Sequence, residues 1–162
     1  MPSSSVDAFK TAFRTHPAGV AVITAGTPEG PIGLTASSVA SVGIDPLALS
    51  FSVTRSSGSA GGILRADTYL VHLVSDREVG IAQAFAVSGS DRFTPEQGWE
   101  TLETGEPHLP SARVALRCRS LSIVPVGTSS LVLAEVLDVI EGPEGQPVVY
   151  ADRTFRPLAS AA

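Results

Sequence analysis

The sequence has few of the residues on which most enzyme chemistry rests. Its 162 residues include one cysteine, Cys118, and three histidines. A lone cysteine excludes an intramolecular disulfide and any multi-cysteine metal site. His16, His72 and His108 lie far apart, none with a second ligand close by in the chain, so no metal is expected. Charge is scarce as well. Charged residues make up 17% and the net charge is −5. Binding a duplex needs clustered Lys and Arg, so no nucleic acid partner is expected. No apolar run approaches the ~20 residues that span a bilayer, and residues 1–5 lack the charged-then-apolar pattern of a leader. No membrane is therefore expected, and a cytoplasmic soluble protein is the default reading. The Gly-x-Ser-x-Gly elbow, the Rossmann fingerprint and the Walker glycine loop are all missing. A nucleotide would have to be held in some other way.

What is present suffices for a core. Hydrophobic residues reach 43%, and a chain of this length buries roughly two-thirds of its surface on folding. No repeat, low-complexity tract or second core is visible, so residues 1–162 read as one domain with its core at about 9–158. Val6, Phe9 and Phe13 recur at helical spacing behind Ser3, Ser4 and Ser5, which offer N-caps. His16-Pro17 ends that helix. Residues 19–25 are rich in β-branched side chains and predict a strand, with a second at 32–42 completing a hairpin. Asp45-Pro46 turns the chain into an alternating strand at 47–53, with its leucines, Phe51 and Val53 on one face. Residues 56–64 read as a loop entering a short helix, and 69–74 as a strand. Ser75-Asp76-Arg77-Glu78 matches a capping box ahead of a helical stripe of Ile81, Ala82, Phe85 and Ala86. Residues 88–110 read as irregular. Two long strands follow at 112–124 and 131–140, joined around Gly127, with a last strand at 148–150. Six or seven strands in hairpins, beside two or three short helices, predict a mainly β fold with an antiparallel barrel.

One stretch carries unusual polar density. Thr35, Ser37, Ser38 and Ser41 stand among small and aliphatic residues, and Ser50, Ser52, Thr54, Arg55, Ser56, Ser57 and Ser59 follow. Hydroxyls and backbone N–H groups at strand ends, backed by one arginine and opening a helix, suit a phosphate. The plainer alternative is an edge strand and a Ser-rich turn with an N-cap.

The run Gly33-Leu34-Thr35-Ala36-Ser37-Ser38, then Ser41-Val42, Asp45-Pro46, Ser52-Val53 and Arg55-Ser56-Ser57, resembles the flavin reductase-like family of FMN-binding split barrels. Later landmarks agree in order: Val71-His72-Leu73-Val74, Ile81-Ala82 with Phe85-Ala86, Arg92-Phe93, Trp99, Leu116 with Cys118, and Val149-Tyr150 with Arg153. The resemblance implies a split antiparallel β-barrel, paired as a homodimer with FMN or FAD near the interface. It further implies an NAD(P)H-dependent flavin reductase, passing hydride from NADH or NADPH to flavin and supplying reduced flavin to a partner monooxygenase. On the same resemblance, Thr35, Ala36, Ser37 and Ser38 line the isoalloxazine and ribityl chain. Ser52, Val53, Arg55, Ser56 and Ser57 reach toward ribityl and phosphate, with Ser59 where the family often has threonine. Arg92 and Phe93 close the phosphate or ring side. No acid–base pair is needed, because flavin N5 accepts hydride directly from the nicotinamide.

There is one departure from the family pattern. Many members carry a histidine in a Gly-Asp-His-like loop thought to face the nicotinamide, whereas this chain has Gly127-Thr128-Ser129-Ser130. Either the hydroxyls substitute, or nicotinamide binding is altered. The departure motivates two rival readings: a flavin carrier or sensor without turnover, and a retained-flavin oxidoreductase acting on an organic substrate. Four single residues carry paired readings as well. Cys118, between Arg117 and Arg119, is a small buried hydrophobe or an activated thiolate. His72 is a hydrogen-bonded structural residue or a catalyst. Trp99 covers the cofactor or pins a long loop. Arg153 bridges a dimer or is a solvated charge.

Overall fold

A computed structural model describes residues 4–158; Ser3, one of the expected caps, lies outside them. Helix α1 spans Ser5–Arg14 and starts at the N-cap Ser4, whose hydroxyl oxygen accepts from the Asp7 N–H at 3.2 Å. Its stripe of Val6, Phe9 and Phe13 is exposed. The chain then forms β1 (Ala18–Gly19), β2 (Ala21–Thr27), β3 (Gly30–Ala36), β4 (Ala40–Ile44) and β5 (Leu47–Val53). Helix α2 (Gly58–Arg65), β6 (Tyr69–Leu73) and α3 (Val79–Ala86) follow, then the two-residue strands β7 (Glu100–Thr101) and β8 (Pro107–His108). Two long strands, β9 (Val114–Val126) and β10 (Ser129–Glu141), precede β11 (Val148–Ala151) and β12 (Thr154–Pro157).

Seven strands make the main sheet, in the order β3-β2-β6-β9-β10-β5-β4, and every pairing is antiparallel. The expected strand at 32–42 is two strands, because β3 pairs with β2 while β4 pairs with β5. These neighbours in sequence thus form opposite edges of one curled sheet. Between them the chain leaves the ladder at Ser37. There Ser38 takes over, its Oγ accepting from the Ser52 N–H at 2.9 Å and donating to the Ser52 carbonyl at 3.2 Å. These side-chain bonds fasten the segment after β3 to β5, and no ladder joins the β3 edge to the β4 edge, so the barrel stays split there.

Strand β2 shows why the fold needs two packed layers. Alternate residues point to opposite faces, and both faces are covered. Ala21, Ile23 and Ala25 join Phe51, Tyr69, Val71 and Cys118 inside the barrel. Val20 and Val22 pack outside it with Val74, Ala82 and Phe85, beneath α3. Burial of both faces explains why residues 20–25 show no polar alternation, the one hydroxyl, Thr24, being satisfied by donating to the Pro107 carbonyl at 2.6 Å. The capping box is formed in full at Ser75 and Glu78, opening a 3-10 turn that continues into α3. Leu49, Phe51 and Val53 of β5 point into the barrel, while Leu47 at its start is exposed.

Strand β12 was not expected. It pairs with β11 across Asp152 and Arg153, which take successive positive φ values of 50° and 59°. Hairpin turns of two residues need that conformation to match the strand twist, but arginine gives no signal for it. Within 88–110, expected to be irregular, lie β7, β8 and one 3-10 turn, Pro95–Gln97. Among the described residues, no helix is long and apolar enough to cross a membrane.

Candidate functional site

Where the sheet fails to close, the fold leaves a cavity of about 650 Å³. Thr35, Ala36, Ser37 and Ser38 form one wall at the end of β3. Ser52 and Val53 at the end of β5, followed by Thr54 and Arg55, form the second. Ser57, Ser59 and the first turn of α2 form the third, and Arg92 stands across from them. Ten of the twelve residues picked from the sequence are therefore gathered around one space. Ser56 and Phe93 do not line it. The Ser56 carbonyl packs against Gly61 of α2, where a Cβ would collide with it. Phe93 turns its ring onto Phe85 at 5.0 Å and Trp99 at 4.9 Å, behind the cavity wall.

Arg92 organises this space. One guanidinium nitrogen donates to the Gly33 carbonyl at 2.6 Å and makes a long contact to Ser59 Oγ at 3.4 Å. The other donates to the Val87 carbonyl at 3.0 Å, and the group lies 5.4 Å above the Phe85 ring. A single side chain thus ties β3, α2 and the end of α3 together. Burial pushes its pKa below the ordinary arginine value, yet guanidinium remains protonated in proteins. No carboxylate lines the cavity, so Arg55 and Arg92 carry uncompensated positive charge there. Ser57 caps α2 without a side-chain hydrogen bond, leaving the first N–H groups of the helix available. Thr35 Oγ1 donates to the Ala82 carbonyl at 2.6 Å and fastens β3 to α3.

Helix α3 and its exit are what the sequence reading missed. Phe85, Ala86, Ser88 and Gly89 also line the cavity, whereas the sequence marks Phe85 and Ala86 as a helical stripe and a family landmark and not as site residues. A second cavity of about 550 Å³ adjoins the first through Thr35, Ser37 and Ala86. The remaining single residues resolve as follows. His72 is buried, with Nδ1 donating to the Val22 carbonyl at 2.9 Å and Nε2 accepting from the Leu109 N–H at 3.1 Å. Burial pushes its pKa down to about 4, so it is a neutral structural residue. Trp99 donates its indole N–H to Gln97 at 2.8 Å and packs against His72 and Phe85, pinning the long loop. Cys118 is buried, and burial pushes its thiol up to about 12. Its flanking arginines pair elsewhere, Arg117 with Glu106 at 2.9 Å and Arg119 with Glu135 at 2.6 Å. An activated thiolate is thereby excluded. Gly127 to Ser130 form the tip joining β9 to β10 and line neither cavity.

A split barrel whose open seam is lined with hydroxyls, two arginines and a helix start has the donors to suit a phosphorylated ligand without a Rossmann fold. Residues 13–159 match the family model of the flavin reductase like domain, and the chain belongs to that family. It is 37% identical over 154 residues to the NADH:FMN oxidoreductase of Rhodococcus erythropolis, covering 92% of this chain and 80% of the relative. An NADH:riboflavin 5'-phosphate oxidoreductase of Streptomyces pristinaespiralis is 30% identical, covering 95% and 90%. The crystal structure of a flavin reductase domain protein from Arthrobacter sp. FB24 superposes with a TM-score of 0.89 at 29% identity, covering 97% and 98%.

Proposed function

We propose that the protein is an NAD(P)H:flavin oxidoreductase that reduces FMN with NADH, with FAD and NADPH as the alternative flavin and donor. The observation that carries this reading is the first cavity, free of carboxylates and lined by hydroxyls, with Arg55 and Arg92 beside the start of α2. Its volume lies within the ~300–1,000 Å³ of small-molecule sites. In this reading Thr35, Ala36, Ser37 and Ser38 flank the isoalloxazine and ribityl chain. Ser52, Val53, Ser57 and Ser59 contact ribityl and phosphate, and the two arginines neutralise the phosphate. Ser56 and Phe93 act from behind the wall. The bound flavin would supply the redox chemistry, taking a hydride at N5 from nicotinamide C4 and leaving the oxidised nucleotide. The chain's own part is to hold, orient and shield the rings.

The reading includes a homodimer, a cytoplasmic setting and a partner monooxygenase that receives reduced flavin by diffusion. Support for the dimer is a set of exposed apolar residues on β4, β9 and β10: Val42, Ile44, Leu121, Val124, Val126 and Leu131. Light scattering should return twice the chain mass. The carrier reading draws on the loop at Gly127, which has no histidine. Mixing protein, flavin and either nicotinamide while following absorbance at the nicotinamide band separates the two. Donor oxidation supports the reductase. A yellow protein that oxidises no donor with any flavin would sink the reductase and leave the carrier and the retained-flavin oxidoreductase.

A further inference from the structure

The cavity wall at residues 35–38 hangs between two elements by its side-chain hydroxyls. At one end Thr35 Oγ1 donates to the Ala82 carbonyl of α3 at 2.6 Å. At the other, Ser38 Oγ accepts from the Ser52 N–H at 2.9 Å and donates to the Ser52 carbonyl at 3.2 Å. The register of β4 on β5 gives this second attachment its meaning. Ser41 pairs with Leu49 and Ala40 with Ser50, so a continuing ladder would bring Ser38 opposite Ser52. In a hydrogen-bonded pair of an antiparallel ladder, the two backbones exchange both N–H···O bonds. At Ser52 both bonds are made, but by the hydroxyl of Ser38 in place of its backbone.

A side chain standing in for a backbone rung has two consequences. It holds the Ser38 backbone away from β5 by the reach of the hydroxyl, so the ladder ends at Ala40 and the seam beyond it stays open. It also spends the Ser38 hydroxyl proton, leaving none for a ligand. Ser37 is the opposite case: it is exposed, makes no side-chain hydrogen bond among the described residues and lines both cavities. We infer that Ser38 is a positioning residue, a spacer whose hydroxyl fixes the width of the seam and thereby how the flavin ring system fits against residues 35–37. This inference rests on the reductase reading and deepens it, dividing the wall into two fasteners, Thr35 and Ser38, and one free hydroxyl, Ser37.

The test uses the full flavin-free chain, titrated by fluorescence with FMN and with riboflavin, beside hydrogen exchange at the Ser52 amide. Ser38→Ala should weaken both flavins by the same factor, roughly tenfold, the order of one hydrogen bond, because the phosphate end is untouched. The Ser52 N–H should lose its protection. Tm should fall by no more than about 4 °C, since Ser52 is exposed and its freed groups regain water. Ser38→Thr keeps the hydroxyl and should restore both affinities and the protection. Unchanged affinities in Ser38→Ala would overturn the inference, as would a Ser52 N–H that exchanges equally fast in both proteins. So would a loss confined to FMN, which would make Ser38 a phosphate contact. A Ser38→Thr protein with Ser52 protected but flavin bound as weakly as in Ser38→Ala would overturn it too. A wild-type protein that binds neither flavin would instead overturn the reductase reading underneath, with the Ser52 exchange still reporting the spacer.

Discussion

Arg92→Ala separates two roles that the structure combines in one side chain. The substitution removes the 2.6 Å and 3.0 Å hydrogen bonds to the Gly33 and Val87 carbonyls and the guanidinium above Phe85. The 3.4 Å contact to Ser59 counts for little. A hydrogen bond from a charged donor is worth at most about 3 kcal/mol, and the freed carbonyls of this partly exposed site regain water, so each bond contributes about 1 kcal/mol. Adding about 0.5 kcal/mol for the cation–π contact gives about 2–3 kcal/mol in all. For a domain of this size that lowers Tm by about 5–10 °C. Separately, one lost charge-assisted contact should weaken FMN binding roughly ten- to hundredfold, whereas riboflavin, which lacks the phosphate, should lose much less. The assay pairs a thermal melt of the flavin-free protein with fluorescence titrations of both flavins. Arg55→Ala is the control: Arg55 makes no side-chain bond among the described residues, so it should weaken FMN binding at constant Tm. Equal losses for FMN and riboflavin in Arg92→Ala would refute the phosphate role and leave Arg92 as a wall fastener.

Two further outcomes follow from the packing. His72 is held neutral, with its pKa near 4, while in the unfolded chain it titrates near 6.5. Unfolding therefore takes up a proton below about pH 6.5, so this contribution is complete above that pH and is lost as pH falls toward 4, by up to about 3 kcal/mol. Denaturant midpoints at pH 7, 5.5 and 4.5 should fall in turn, and a flat series would contradict a buried neutral imidazole. Gly33→Ala would place a Cβ 2.6 and 2.9 Å from the Phe85 ring, which Phe93 and Trp99 hold from behind. Overpacking of that kind costs about 1–3 kcal/mol, and moving Phe85 also disturbs Arg92. A variant with parental stability and FMN affinity would show that the ring has room to move.

Local order was legible in the chain itself. Ser4 before the Val6, Phe9 and Phe13 stripe, the Ser75–Glu78 capping box and the alternation of 47–53 each act over a few residues through caps and side-chain period, and each forms as read, save that Leu47 is exposed. The hydroxyls of 35–59 were likewise visible as a polar run in an apolar context. What the tertiary structure alone decided is non-local. Arg92 reaches back 59 positions to Gly33, and Ser38 binds Ser52 to break one expected strand into two opposite edges. The side of Phe85 that faces the cavity, the turn that presents Arg153 and the burial that silences Cys118 and His72 share that origin. Composition names the donors available. Which of them converge on one space depends on how a seven-stranded sheet curls to bury both faces of β2, and no local pattern encodes that.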